Sequence, residues 1–179
     1  MSTLLTIISI ISCIILLLLI IAYFSKRGYS IHREILIKKP ISEVFGFLKN
    51  LKNQDYYSKW VMTDPDMKRE YYGIDGTIGF IYTWDGNKEA GKGEQEIKGI
   101  IEDELVDVEV RFIRPFEGIA YTPIRTSALS ENETKVSWGM KSEMKYPMNM
   151  MLWFLNMEKL LGPDLELSLN NLKSILESK

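Results

Sequence analysis

The pattern of hydrophobic and polar positions divides the chain into two unequal parts. Residues 4–24 read LLTIISIISCIILLLLIIAYF, an uncharged run that only Thr6, Ser9, Ser12 and Cys13 interrupt. As an α-helix this run rises about 31 Å, which matches a hydrocarbon core of about 30 Å. The first part therefore predicts one helix that spans a membrane.

Three other interpretations of the apolar run are disfavoured by its surroundings. A secretory signal peptide is disfavoured because no Lys or Arg precedes the run and no small-residue cleavage site follows it. A bacterial lipoprotein signal is disfavoured because most of the run follows Cys13. A buried core helix is disfavoured by the length of the run without a charge. We interpret residues 1–27 as an uncleaved transmembrane anchor with its basic flank, and residues 28–179 as one domain.

The charges beside the run predict its orientation. Lys26, Arg27, Arg33, Lys38 and Lys39 follow the run, and no basic side chain precedes it. The positive-inside rule therefore predicts that the C-terminal side stays in the cytoplasm. The single cysteine lies within the run, so the domain has no disulfide, which agrees with a reducing compartment. We expect a single-pass membrane protein with a cytoplasmic domain.

Periodicity predicts the elements of the domain. Residues 30–37 alternate as a strand, Ser42 is the expected N-cap of a helix over 43–51, and a second short helix is expected around 53–60. Residues 68–144 have the texture of about six antiparallel strands. These elements predict an antiparallel sheet with one apolar face.

A long helical segment completes the domain. We expect Pro147 to open it, a Gly162–Pro163 break to interrupt it, and an amphipathic stripe to continue to the C-terminus. The last helix is the obvious partner for the apolar face of the sheet. The predicted fold class is therefore α+β, preceded by one transmembrane helix.

Composition narrows the range of partners. The chain has 22 basic and 24 acidic residues, and this near-neutral balance without a basic stripe argues against nucleic acid. His32 is the only histidine, and with no second histidine or cysteine in the domain a zinc site is almost excluded. No glycine-rich phosphate loop or nucleophile motif appears, so we expect neither a metal nor a cofactor.

Two segments resemble the START/polyketide cyclase superfamily, also called SRPBCC. EILIKKPISEVFGFLKN at residues 34–50 resembles the opening strand and first helix of that superfamily, and MEKLLGPDLELSLNNLKSILE at 157–177 resembles its closing helix. The resemblance covers residues 29–178 and implies a helix-grip fold, in which a curved antiparallel sheet wraps around a long C-terminal helix. It also implies a cavity for lipids, sterols, hormones or polyketides, although a minority of members are enzymes and no universal catalytic motif exists.

The cavity that this fold implies is the expected ligand site. Aromatic residues and methionines fall on the predicted inner faces, and methionine adapts to varied apolar partners. Ordinary core packing also explains part of this pattern. The candidate ligand-binding residues are Phe80, Tyr82, Trp84, Tyr121, Trp138, Met140, Met151 and Leu155.

Charged side chains give weaker signals of function. We interpret His32 as a surface histidine. Glu94 and Glu96 share a strand face, as a pair for acid–base catalysis would, but Lys98 continues the row and favours a solvated outer face. Arg33 alternates with isoleucines and would point to the apolar face, unless it reaches outward or pairs with a glutamate.

These observations lead to one main hypothesis with two alternatives. The main hypothesis is a membrane-anchored START-like domain that binds a lipid-like or other apolar small molecule in the cavity. The alternatives are a cyclase- or hydrolase-type enzyme in the same cavity, and a regulatory or interaction domain with a filled core. The expected partners are the membrane and the apolar ligand, and we expect the region of Met150, Trp153 and Phe154 to face the bilayer.

Overall fold

An apolar N-terminal helix, an eight-stranded antiparallel sheet and a long C-terminal helix are the main elements of the computed structural model, which describes residues 3–178. Met1, Ser2 and Lys179, which the predicted boundaries include, lie outside the described residues. The helices are α1 (Thr3–Phe24), α2 (Ile41–Leu48), α3 (Gln54–Tyr57) and α4 (Met157–Glu177), and 3₁₀ segments cover Leu51–Asn53, Val61–Thr63 and Met148–Trp153. The strands are β1 (Gly28–Ile37), β2 (Lys68–Tyr72), β3 (Ile81–Asp85), β4 (Lys92–Ile101), β5 (Leu105–Arg114), β6 (Gly118–Tyr121), β7 (Ile124–Ser130) and β8 (Glu133–Glu143).

Helix α1 is exposed along almost its whole length. Its central apolar window has no buried residue, and Ala22, close to the C-terminal end, is the one buried residue of the helix as described. By length and composition α1 is apolar enough to cross a membrane, a property that a signal sequence shares. Its exposure shows that α1 is not a core helix of this domain.

The sheet is antiparallel throughout, with the order β1-β8-β6-β5-β4-β3-β2 and with β7 paired to β5 and β8. β1 pairs along its full length with β8, from Gly28 opposite Glu143 to Ile37 opposite Thr134. The register of β4 against β5 shifts at two places, and such bulges increase the local bend and twist of a sheet.

Helix α4 covers one end of the inner face. Leu165, Leu169, Leu172 and Leu176 follow helical spacing and are all buried. They belong to a core cluster with Ile31, Ile37, Val44, Leu48, Tyr57, Ile124, Val136 and Trp138. A second cluster fills the other part of the inner face and contains Phe45, Leu51, Phe80, Tyr82, Ile97, Val106, Val108, Val110, Ala120 and Met140. The predicted α+β class, a curved sheet gripping a C-terminal helix after an apolar N-terminal helix, is confirmed.

The predicted start of the last helix is wrong. Pro147 opens the short 3₁₀ segment Met148–Trp153, and α4 begins separately after Asn156. The side chain of Asn156 accepts a hydrogen bond from the backbone N–H of Lys159, 3.1 Å away, and so caps the new helix. Because of this cap, α4 begins at Met157, ten residues after the start that was predicted from Pro147.

Two other boundaries also differ from the prediction. Gly162 and Pro163 lie inside α4 and do not break it, because the buried leucines of the following turns hold the helix against the sheet. Helix α2 begins at Ile41, with Pro40 rather than Ser42 at the N-cap position. Strand β3 begins at Ile81, after a turn in which Gly76 and Gly79 adopt positive φ angles.

Candidate ligand cavity

A cavity of about 350 Å³ lies between the inner face of the sheet and the helices that cover it. Its walls come from β1, β3, β4, β5 and β8, from α3 and the segment between α3 and β2, from the β3–β4 and β6–β7 connections, and from the first two turns of α4. The lining residues are Tyr29, Gln54, Ser58, Trp60, Val61, Thr63, Met67, Tyr82, Trp84, Glu89, Ala90, Gln95, Val110, Phe112, Thr122, Trp138, Met140, Met157 and Leu161. Most of these side chains are aromatic or aliphatic, which is typical of ligand pockets.

Tryptophan rings form a rigid part of the wall. Trp60 packs edge-on against Trp138 with ring centroids 5.9 Å apart, and its indole N–H donates to Asp164 at 3.2 Å. Trp84 packs edge-on against Phe112, and its indole N–H donates to the carbonyl of Ala90 at 3.0 Å. Because the N–H groups of Trp60 and Trp84 are already bonded, these two rings contribute only apolar surface to the cavity.

A pair of buried amides is the main polar feature of the cavity. Nε2 of Gln95 donates to Oε1 of Gln54 at 3.1 Å, and both side chains are buried. Each primary amide has further donor or acceptor capacity beyond this one bond. Polar groups fixed in an apolar wall orient a bound molecule, so these amides can select a ligand with one polar end.

The hydroxyl group of Tyr82, in the cavity wall next to β2, is held by two hydrogen bonds. This hydroxyl donates to Oδ1 of Asp55 at 3.0 Å and accepts a bond from Nε of Arg69 at 3.2 Å. Burial, together with the nearby charge of Asp55, raises the pKa of Tyr82 well above its ordinary value. The phenol therefore stays neutral and acts as a fixed part of the wall.

Two buried polar atoms next to the cavity have no hydrogen-bond partner within residues 3–178. They are the hydroxyl of Tyr57 and the indole N–H of Trp138, whose rings pack edge-on with centroids 5.8 Å apart. Burial raises the pKa of Tyr57. An unpaired buried polar group costs about 1–3 kcal/mol, so this part of the core is destabilised by its polar atoms.

Half of the predicted ligand-binding residues meet around the cavity. Tyr82, Trp84, Trp138 and Met140 all line it. Each lies within residues 68–144, where the sequence predicts antiparallel strands. Whether these residues bind a ligand stays a prediction.

The other four predicted residues lie elsewhere. Phe80 is buried in the second core cluster and stacks on Tyr71. Tyr121 is half exposed on the outer face of β6, because its neighbours Ala120 and Thr122 point inward. Met151 and Leu155 belong to the segment before α4, which is not the predicted helix, and Leu155 lines a separate groove.

Several lining residues were missed by the sequence analysis, although the sequence contained a signal for some of them. Gln95 lies between Glu94 and Glu96, so strict alternation places its amide on the face opposite the two carboxylates. Met157 and Leu161 lie one helical turn apart at the start of α4 and take the positions predicted for Met151 and Leu155.

The carboxylates of β4 lie on the outer face, as the row of charges indicated. Arg111 bridges them, with Nε 2.6 Å from Glu94 and a terminal nitrogen 2.9 Å from Glu96, and it also pairs with Glu109. The hydrogen bond from Arg111 holds the pKa of Glu96 below its ordinary value. This group is an ion-pair network on the side of the sheet away from the cavity.

Arg33 and His32 do not line the cavity. The guanidinium of Arg33 pairs with Glu158 of α4 and approaches Glu166 to 3.9 Å, so the alternative of pairing with a glutamate describes it correctly. His32 is exposed and lies 3.2 Å from Glu34, as expected of a surface histidine.

The junction between α1 and the domain is held by side chains of the 3₁₀ segment. Asn149 is fully buried, and its Nδ2 donates to the carbonyl of Ala22 at 2.7 Å, near the C-terminal end of α1. The indole N–H of Trp153 donates to the hydroxyl of Ser25 at 3.0 Å. Carbonyls at the end of a helix lack helical partners, and the Asn149 amide supplies one.

Neither a protein-family profile nor a curated protein sequence matches this chain. Solved structures do match it in three dimensions. Norcoclaurine synthase from Thalictrum flavum, in complex with dopamine and hydroxybenzaldehyde, is 14% identical and matches over 89% of this chain and 93% of that chain, with a TM-score of 0.63.

Two further structures are similar. Ara h 8.0201 is 12% identical over 85% of this chain and 99% of its own, with a TM-score of 0.61. A protein from Chromobacterium violaceum is 12% identical over 83% of this chain and 96% of its own, with a TM-score of 0.59. At these identities the similarity concerns the fold alone. The domain therefore has the helix-grip fold of Bet v 1 and SRPBCC-type proteins.

Proposed function

We propose that this protein is a membrane-anchored helix-grip domain that binds a small, lipid-like molecule in its cavity. The observation that carries the proposal is the cavity itself, which combines aromatic and methionine walls with one fixed amide pair, Gln54 and Gln95. Such a combination of apolar surface and a few placed polar groups is the usual design of a ligand pocket.

The size of the cavity limits the ligand. Its volume of about 350 Å³ lies near the lower end of the range of about 300–1,000 Å³ for small-molecule sites. A single acyl chain or a small ring system fits that volume better than a two-chain phospholipid does. The amide pair then offers hydrogen bonds to one polar end of such a molecule.

The side chains around the cavity support binding rather than catalysis. Glu89, at the rim, is the one Asp, Glu, His, Lys or Arg among the described residues that line the cavity. A cavity that performs acid–base chemistry needs a proton donor or acceptor poised near the operating pH, and the raised pKa of Tyr82 removes that phenol from this role. The remaining polar groups are amides, hydroxyls and the indole N–H of Trp138, which orient a molecule without exchanging protons with it.

Helix α1 supplies the membrane anchor in this proposal. It ends at Phe24, and β1 begins at Gly28, so the domain stays next to the membrane surface. Lys26 and Arg27, which lie in the connection, favour anionic headgroups and a cytoplasmic position of the domain. A ligand of poor water solubility is then bound close to its source.

An exposed apolar surface near the anchor supports the same arrangement. Met148, Met151, Trp153 and Phe154 are exposed on or beside the 3₁₀ segment, and Phe154 is 84% exposed. Asn149, in the same segment, is bonded to the end of α1, which brings these side chains close to the level where α1 would leave the bilayer. Aromatic side chains are enriched at that level of a membrane.

The test uses the full-length protein, extracted from membranes and studied by native mass spectrometry. We expect a co-purified apolar molecule that leaves when the complex is activated. Met140→Trp, which fills the cavity, should abolish this extra mass, whereas Lys141→Trp, one residue further on the exposed face of β8, should retain it. Absence of any bound molecule, together with failure to take up added fatty acids, would overturn the proposal.

A further inference from the structure

A groove lies beside the cavity, at the junction between α1 and the domain. One wall comes from the end of α1 and the start of β1, and the other comes from residues 152–158. Tyr29 and Met157 line both this groove and the cavity. These two side chains are therefore the partition between the interior of the domain and the membrane junction.

The groove has an apolar floor with a charged edge. Phe24, Leu152, Phe154 and Leu155 contribute apolar surface that continues from α1. At the edge, Glu158 is neutralised by its ion pair with Arg33, whereas Lys26 has no ion pair with any described residue. An acyl chain with an anionic head fits these walls, with its head next to Lys26.

Polar contacts hold the two walls of the groove together. The buried amide of Asn149 joins the 3₁₀ segment to the carbonyl of Ala22, and the backbone N–H of Met144 donates to the carbonyl of Arg27 at 2.9 Å. Trp153 adds the bond to Ser25. The groove is thus a built feature of the junction, because its shape depends on specific bonds between the anchor and the domain.

We propose that this groove is the route by which a single-chain anionic amphipath passes from the bilayer into the cavity, with Tyr29 and Met157 as the gate. The proposal rests on the proposed function, since it requires a ligand in the cavity. It places the entrance on the membrane side, so that the apolar chain moves from lipid to protein without crossing water. The opposite end of the cavity, near Met67 and Glu89, is the competing entrance.

The experiment measures how fast a probe is loaded from vesicles. Full-length protein with Trp153→Phe is reconstituted in phosphatidylcholine vesicles, so that the remaining tryptophans all line the cavity. cis-Parinaric acid, a fluorescent fatty acid with a single chain, is then added in a second vesicle population, and energy transfer from tryptophan to its polyene is followed in time. Met157→Ala, or Tyr29→Ala if the first variant folds poorly, widens the gate, and Met67→Ala is the matched change at the opposite end.

Substitution of a gate residue changes the loading and unloading rates more than it changes the equilibrium occupancy. We expect Met157→Ala to raise both the loading rate and the unloading rate several-fold, and to change the final occupancy far less, although Met157 also lines the cavity. Met67→Ala also enlarges the lining of the cavity, so it should change the final occupancy to a similar extent but should not raise the loading rate. Equal loading rates in all variants, or faster loading in Met67→Ala alone, would overturn the proposed route while leaving the ligand cavity intact. If the parent protein shows no energy transfer at all, the proposed function itself fails.

Discussion

The guanidinium of Arg33 lies directly against Gly162 of α4 and occupies the space that a β-carbon at this position would fill. The same guanidinium pairs with Glu158, one turn before Gly162, and approaches Glu166, one turn after it. The side chain of Arg33 thus lies across α4 at Gly162 and contacts an acidic residue one turn before and one turn after this glycine. The contact fixes α4 against the edge strand at the end of the helix that borders the cavity.

This contact predicts different effects for the same substitution at two helical glycines. Alanine in a helix is more favourable than glycine by about 1 kcal/mol. For Gly46→Ala in α2, no described atom outside the adjoining helix backbone lies within 4 Å of the new carbon, so the free energy of unfolding should rise by about that amount. Gly162→Ala should raise the free energy of unfolding by clearly less, because the new β-carbon would displace the guanidinium of Arg33. Exposed ion pairs of this kind contribute about 0.2–1 kcal/mol.

The measurement is urea unfolding of the full-length protein in detergent micelles, with a double-mutant cycle. In an Arg33→Ala background, Gly162→Ala should recover the full gain that Gly46→Ala shows. If Gly162→Ala stabilises the protein equally with and without Arg33, the contact between the two residues does not contribute to the free energy of unfolding.

The unpaired hydroxyl of Tyr57 predicts a stabilising substitution in the core. Tyr57→Phe removes a buried oxygen that has no partner in the described chain, so we expect the free energy of unfolding to stay level or rise by about 1 kcal/mol. Tyr82→Phe is the matched control, because it removes a hydroxyl bonded to Asp55 and Arg69 and should destabilise by about 1–2 kcal/mol. Thermal unfolding of both variants tests the pair, and a loss of stability in Tyr57→Phe would reveal a partner for that hydroxyl.

The ion-pair network of Arg111 predicts a dependence of stability on pH. Since Arg111 lowers the pKa of Glu96 in the folded state, this interaction stabilises the protein fully above the ordinary glutamate pKa of about 4.3 and is lost as the pH falls through the lower, folded value. Arg111→Met should therefore cost about 1–3 kcal/mol at pH 7, where Glu94, Glu96 and Glu109 then repel one another. The difference between variant and parent should shrink towards pH 3.

The control for this pH profile is Arg125→Met. Arg125 lies 4.0 Å from Glu104 in an exposed pair, so its removal should shift the stability curve little at any pH. Denaturant midpoints measured from pH 3 to pH 7 give the comparison. If the difference in denaturant midpoint between Arg111→Met and the parent protein stays constant over this pH range, the ionised carboxylate of Glu96 does not contribute to stability as proposed.

The sequence predicted those parts of the cavity where local periodicity runs without interruption. Tyr82 and Trp84 in β3, and Trp138 and Met140 in β8, lie two residues apart in strands with clear alternation, and all four line the cavity. Such alternation determines which side chains share a face, once one of them is known to point inward. When neighbouring strands of the sheet share the same inner face, their inward side chains together form the wall of the cavity.

Where the chain changes direction, the local sequence pattern did not determine which side chains face the cavity. β6 is short and follows a turn, so the phase of its alternation was not set by β5, and Tyr121 proved to lie outside while Thr122 lies inside. Met151 and Leu155 were misplaced because the cap at Asn156 starts α4 anew. The partner of Arg33 depends on where α4 crosses β1, and residues more than a hundred positions apart in sequence carry no local signal for that contact.

The exposed ring of Phe154 predicts direct contact between the domain and lipid. We expect a fluorescent nitrobenzoxadiazole label at position 154, introduced by Phe154→Cys in a Cys13→Ser background, to be quenched strongly by spin-labelled lipid in vesicles that contain the full-length protein. The reason is the bond from Asn149 to Ala22, which holds the 3₁₀ segment beside the end of α1. Adding Asn149→Ala should release the segment and weaken the quenching.

A label at Ser130 provides the control for this measurement. Ser130 is exposed at the C-terminal end of β7, close to the Ile37 end of the β1–β8 pair, whereas α1 joins the domain at the opposite end, before Gly28. The label at this position should therefore be quenched little, with or without Asn149→Ala. Equal quenching at positions 130 and 154 would show that the domain has no preferred side towards the bilayer. Strong quenching at 154 that survives Asn149→Ala would instead show that the apolar side chains hold the segment at the membrane without the Asn149 contact.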